Sequence, residues 1–146
     1  MPTRNAEAVW NGSIMDGKGN MELGSGAYSG AYSFRSRMQD GTGTNPEELI
    51  GAAHAGCFSM AFSAALGQAG FEPKSIHTKA AVKFDKVGDG FAITRIDLTT
   101  EADIPNIDDG KFQELAKGAK EGCPVSKALA GTEINLQAKL QTSPNS

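Results

Sequence analysis

Two cysteines, Cys57 and Cys123, are the residues of this 146-residue chain best suited to covalent chemistry. The side chains able to modulate them are His54, Arg35, Arg37 and Glu47. The thiolate is the nucleophilic form of cysteine, so the question for each is what could stabilise the anion. Cys57 lies among small apolar residues in the middle of a long uncharged run, where a free cysteine ordinarily packs. Cys123 stands between Gly122 and Pro124 at a helix start, where unpaired backbone N–H groups favour a thiolate. Local chemistry therefore makes Cys123 the more reactive of the two. A thiolate at Cys57 gains nothing from a helix end and needs an external cation. Arg35 or Arg37 can supply it, and Glu47 can hold the guanidinium in a bidentate pair. Glu47 precedes Cys57 by about three helical turns, roughly 15 Å along the axis, so one helix cannot bring them together. An arrangement using both requires a second chain or a long relay. Glu47 also has a sufficient structural use, as a first-turn carboxylate facing the helix dipole.

His54 lies three positions before Cys57, on nearly the same helix face. With Cys57 and Cys123 it makes a three-ligand metal site conceivable, although no short C-x-x-C pair supports one. His77 reads as a solvated side chain at a strand edge. No phosphate loop, dinucleotide fingerprint or Ser-His-Asp signature occurs. Trp10, Tyr28 and Tyr32 are too scattered for a base-stacking surface.

The elements that must position these residues follow from periodicity. Alternation through 6–14, more weakly through 19–23, and again over 32–38 predicts three short strands separated by glycine turns. On this reading Arg35 and Arg37 share a strand face. Asn45, Pro46 and Glu48 form a strong helix start, with Asn45 as cap and Glu48 at the capping-box position. That helix runs from Pro46 to about Ala69 and stops at Gly70. Two longer strands follow, joined by a turn at Gly88-Asp89-Gly90, with Ala92, Thr94, Ile96 and Leu98 facing inward on the second. Asp108 is placed to cap a helix carrying the stripe Phe112, Leu115, Ala116 and Ala119. A short helix after Cys123 extends through Leu129. A last strand over 132–140 carries Ile134, Leu136, Ala138 and Leu140, and the tail 141–146 is expected to be disordered. The order βββ-α-ββ-αα-β specifies an α+β fold, with 1–146 read as a single domain.

Composition narrows the function classes. Hydrophobic residues are 39% and charged residues 21%, a globular balance. A net charge of −3 argues against a nucleic-acid partner, because phosphate binding draws on excess Lys and Arg. Two cysteines exclude a disulfide-rich secreted scaffold. Residues 49–71 contain no Asp, Glu, Lys or Arg and are long enough to span a bilayer. They consist largely of Ala, Gly and Ser without flanking basic clusters, which favours a helix buried on most sides in a soluble protein over a membrane span. The first ten residues lack the basic lead and apolar core of a secretory signal. A cytoplasmic location, where thiols stay reduced, is expected.

The run TNPEELIGAAHAGCFSMA at 44–61 resembles the central helix of the OsmC/Ohr family, and GFAIT at 90–94 and GCPVS at 122–126 match it in order. The segment Ala-Ala-His-Ala at 52–55 is more similar to the osmotically inducible OsmC branch than to the organic hydroperoxide resistance branch. The resemblance implies an OsmC-like fold, antiparallel sheets around a long buried central helix, and an intertwined homodimer with its sites at the interface. It implies a thiol-dependent peroxidase for organic hydroperoxides and, more weakly, hydrogen peroxide. In the roles it implies, Cys57 attacks the peroxide and Cys123 closes a disulfide. Arg37 activates Cys57 and Glu47 orients Arg37, with both able to come from the partner chain; Arg35 is a nearby alternative to Arg37. No cofactor is implied beyond an external thiol or dithiol reductant. The residues themselves leave two rivals: a metal site of Cys57, Cys123 and His54, and a non-catalytic dimeric protein whose cysteines pack.

Overall fold

A computed structural model describes residues 1–141; the rest of the expected disordered tail, 142–146, lies outside the described residues. The chain forms two compact units, Met1–Leu49 and Ile50–Ser146.

In the first unit, β1 (Ala6–Asn11), β2 (Lys18–Leu23) and β3 (Ser29–Tyr32) form an antiparallel meander in the order β1-β2-β3. The third strand is shorter than the alternation over 32–38 predicts. Phe34–Met38 is instead a short helix, α1. Its cap explains the difference: Ser33 Oγ accepts from the Ser36 N–H, and Ser36 Oγ accepts from the Ser33 N–H at 2.8 Å. A reciprocal serine cap satisfies the first free donors of a helix, and five residues are too few for periodicity to separate helix from strand. Arg35 and Arg37 therefore do not share a face, since residues two apart on a helix point to different sides. The chain then turns through Gly43, at φ +111, where a Cβ would meet the Ala31 carbonyl. Asn45 Oδ1 accepts from the Glu48 N–H at 2.7 Å, capping α2 (Pro46–Gln68) as expected, whereas the Glu48 carboxylate accepts from the Thr44 hydroxyl. At its other end α2 stops where expected, with Gly70 at φ +91.

In the second unit, β4 (Ser75–Val87) and β5 (Gly90–Asp103) form a long antiparallel hairpin. β6 (Glu133–Leu140) pairs with β5 in parallel, Ile96 opposite Ile134 and Leu98 opposite Leu136. The return path between them is α3 (Asp109–Gly122) and α4 (Pro124–Ala128), a crossover of the kind parallel pairing needs. Asp108 caps α3 through the Lys111 N–H at 2.8 Å, as expected. The inward phase of β5 departs from a simple alternation. A bulge between Lys83 and Phe84 puts Ile93 rather than Thr94 opposite Phe84. Ile93 packs on the core, and the Thr94 hydroxyl donates to Asp85 instead. Beyond the bulge Ile96, Leu98, Thr100 and Ala102 point inward. Gln141, assigned above to a disordered tail, donates its N–H to the Ala102 carbonyl at 2.7 Å and so prolongs the ladder.

The core joins Phe58, Phe62 and Leu66 of α2 to Ile96 and Leu98 of β5 and to Phe112, Ala116 and Ala119 of α3. Phe62 meets Phe112 edge-on with ring centroids 5.4 Å apart. α2 is long and apolar enough to cross a membrane by length and composition. Its burial is narrower than its composition suggests. Gly51, His54, Phe58, Phe62 and Leu66 form one buried stripe, while Ala52, Ala53, Gly56, Met60 and Ala64 on the other side are exposed.

Candidate active site

The two cysteines, far apart in sequence, come together in the second unit. α2 carries Cys57, and the break between α3 and α4 carries Cys123. Cys123 donates its N–H to the Ala119 carbonyl, ending α3, and is also the N-cap of α4, with Pro124 at the first helical position. Their Sγ atoms are 2.8 Å apart and both thiols are free. A disulfide needs about 2.05 Å, so oxidation requires only a small movement of the sulfurs. The two differ in access: Cys123 is fully buried, whereas Cys57 is partly exposed. A solute oxidant therefore meets Cys57 first.

Their electrostatics also differ. Burial pushes the Cys57 thiol up, and its hydrogen bond to Cys123 adds to the rise. Cys123 is pushed up by burial too, but sharing that bond with Cys57 and facing the Ser126 N–H, the Ser126 hydroxyl and the Val125 N–H leave it lowered. The sulfur that ionises first accepts a hydrogen bond from the other thiol, so the protons leave as steps of the pair. Within this unit Cys123 is the better thiolate, in line with its helix-start position. Cys57 would need a cation to reverse the order.

His54 is fully buried on the same α2 stripe. Its Nε2 and the Ser126 hydroxyl oxygen are 2.7 Å apart, and its Nδ1 has no hydrogen-bond partner. Burial lowers its pKa, keeping the ring neutral. Among the described residues no three of His, Cys, Asp and Glu converge as a metal-binding group, and the trio of Cys57, Cys123 and His54 forms none. His77 is exposed, as expected. Sequence reasoning gave no separate role to Ser126. The signal was present: it stands three residues after Cys123, the position from which a side chain reaches back toward an N-cap.

In the first unit, Arg37 of α1 and Glu47 in the first turn of α2 form a two-pronged pair. Arg37 Nε donates to Glu47 Oε1 at 3.0 Å and Nη2 donates to Oε2 at 2.9 Å. Glu47 is nearly buried, whereas Arg37 keeps about two-fifths of its side chain exposed. The carboxylate thus fixes the guanidinium through two parallel hydrogen bonds. Arg37, not Arg35, makes this pair.

The chain is similar to known proteins over most of its length. The family model described as OsmC-like protein matches residues 39–139. Peroxiredoxin OsmC of Escherichia coli (strain K12) is 49% identical over 140 residues, covering 95% of this chain and 97% of that protein. The organic hydroperoxide resistance protein OhrB of Bacillus subtilis (strain 168) is 36% identical over 101 residues, 68% of this chain and 70% of that one. The crystal structure of OhrB of Bacillus subtilis superposes with a TM-score of 0.67 at 27% identity, covering 94% of this chain and 98% of that chain. With a family model over more than two thirds of its length and 49% identity to a relative matched over 95% of the chain, this chain belongs to the OsmC-like family.

Proposed function

We propose that the protein is a cysteine-based peroxidase that reduces organic hydroperoxides, and more weakly hydrogen peroxide, to alcohols or water. The observation that carries this reading is the thiol pair: one sulfur open to solutes, the other sealed 2.8 Å behind it. The relatives' names, peroxiredoxin OsmC and organic hydroperoxide resistance protein, support the same chemistry.

In this reading the Cys57 thiolate attacks one oxygen of the O–O bond. A sulfur–oxygen bond forms, the peroxide bond breaks, and the departing alkoxide takes a proton to leave as alcohol. Cys123 then attacks the Cys57 sulfenic sulfur, giving the disulfide and water. An external dithiol reduces the disulfide and is itself oxidised; no other cofactor enters the cycle. The ordering of the two sulfurs requires a cation near Cys57, and the Arg37–Glu47 pair is suited to it. We assign that pair to the partner chain of an intertwined homodimer in which two copies act as the working unit. The exposed apolar side of α2, with Met60 77% exposed, supports a covering partner. The small residues there and Met60 suit an alkyl hydroperoxide, whereas Phe58 is spent in the core. A cytoplasmic location fits the need for a reductant, with neither membrane nor nucleic acid as partner.

Thiol counting tests the reading. One equivalent of an organic hydroperoxide converts two free thiols per chain to none, and Cys57→Ser abolishes turnover. Full activity in Cys57→Ser, or thiols inert to every hydroperoxide in a panel, overturns it.

A further inference from the structure

The buried His54–Ser126 contact has no part in the cycle described so far. A neutral imidazole carries one proton. Placed on Nδ1, it would be a buried donor without an acceptor, because Nδ1 has no partner. Placed on Nε2, it is used in the 2.7 Å bond to Ser126 and leaves only a lone pair stranded. With Nε2–H donating to the Ser126 oxygen, the Ser126 hydroxyl proton is free to turn to another acceptor. Cys123, fully buried, lies three residues earlier, one helical turn back at the N-cap of the same short helix, and the Ser126 hydroxyl is among the groups that lower its pKa.

We infer that His54 is a positioning residue for Cys123: it holds the Ser126 hydroxyl with its proton directed at the Cys123 sulfur and thereby readies that sulfur for disulfide closure. The inference deepens the peroxidase reading and rests on it for the role of Cys123. In the step concerned, Cys123 gives up its proton and its sulfur attacks the Cys57 sulfenic acid. The S–S bond forms, the S–O bond breaks, and the leaving hydroxide combines with the released proton as water. Ser126 donates a hydrogen bond to the attacking anion and is unchanged at the end. The two donors, His54 and Ser126, are both neutral, so the arrangement adds no second charge to a site sealed from water.

Four measurements test this on the full-length protein. In a Cys57→Ser background, pH titration of thiolate ultraviolet absorbance reports Cys123 alone; adding Ser126→Ala raises its midpoint by about one unit, a tenfold loss of thiolate. With both cysteines present, Ser126→Ala slows disulfide closure about tenfold, timed from Cys57 sulfenic acid already formed and followed by dimedone trapping. Ser126→Thr, which keeps the hydroxyl, restores closure, and His54→Leu matches Ser126→Ala. Nitrogen-15 NMR of His54 finds the proton on Nε2. An unchanged Cys123 midpoint and closure rate in Ser126→Ala, or a His54 proton on Nδ1, overturns the inference even if His54→Leu fails to fold. A wild-type protein that forms neither sulfenic acid nor disulfide overturns the peroxidase reading instead, and the midpoint and the tautomer still decide the role of His54.

Discussion

In the proposed cycle Cys57 and Cys123 divide the labour of a thiol site by burial. The exposed sulfur can meet a solute, and the sealed one can react only with its neighbour. That division leaves the partly exposed sulfur with the higher pKa, because its partial burial and the shared hydrogen bond both act against its thiolate. In the proposed cycle a cation makes the correction, and Arg37, held by two hydrogen bonds to Glu47, is the one assigned to it. Arg37→Lys keeps the charge but loses the fork, so the cation is no longer held in one place. If the Cys57 midpoint rises by about one unit, the thiolate falls about tenfold. Steady-state peroxidase assays should therefore find about a tenfold loss of kcat/KM with unchanged circular dichroism. His54 bears on stability as well. Its folded-state pKa lies below the ordinary 6.5, so as pH falls the unfolded chain takes up the proton first. Its contribution is full above about pH 6.5 and declines as pH drops toward the folded pKa. Urea denaturation across this range should show stability falling toward acid, and His54→Gln should flatten that slope. His77 is common to both proteins and does not affect the difference.

At the scale of elements, the caps and the core contribute very differently. Asp108 holds one N–H at the start of α3, and Asp108→Ala should cost about 1 kcal/mol in urea denaturation. Phe62 is fully buried between Phe58 and Phe112, and Phe62→Ala should cost about 3–5 kcal/mol in the same assay through lost burial and a cavity. Equal costs for the two would mean that the aromatic cluster does not anchor α2. The elements also explain where sequence periodicity sufficed. The start and stop of α2, the β4–β5 hairpin and the stripe of α3 were legible because each rests on neighbours within a turn or two. α1 was not, because five residues with a serine cap satisfy a strand pattern equally well. The bulge in β5 was not either, because it is a property of pairing with β4 rather than of β5 alone.

For the molecule as a whole, the half-covered helix is the decisive feature. A 23-residue apolar helix with one buried stripe leaves a side of small residues and Met60 facing out. Such a side suits close helix contact with a second copy. Met60→Glu places a charge there, and analytical ultracentrifugation should find the proposed dimer shifted toward monomer, with peroxidase activity lost in parallel. A wild-type monomer, or an intact and active Met60→Glu dimer, counts against an interface on this side of α2.

The residue order alone carried the α+β class, most of its elements, the family and the two cysteines as the centre of the chemistry. It carried them because helix periodicity, capping and turn residues act over a few positions, and because the motifs around Cys57 and Cys123 are contiguous. Packing decided the rest. It set the two sulfurs 2.8 Å apart across 66 positions, laid β6 parallel to β5, and put the His54 ring against Ser126. None of these has a local signature, since each is a meeting of side chains or strands whose separation in sequence says nothing about their distance once the core has closed around them.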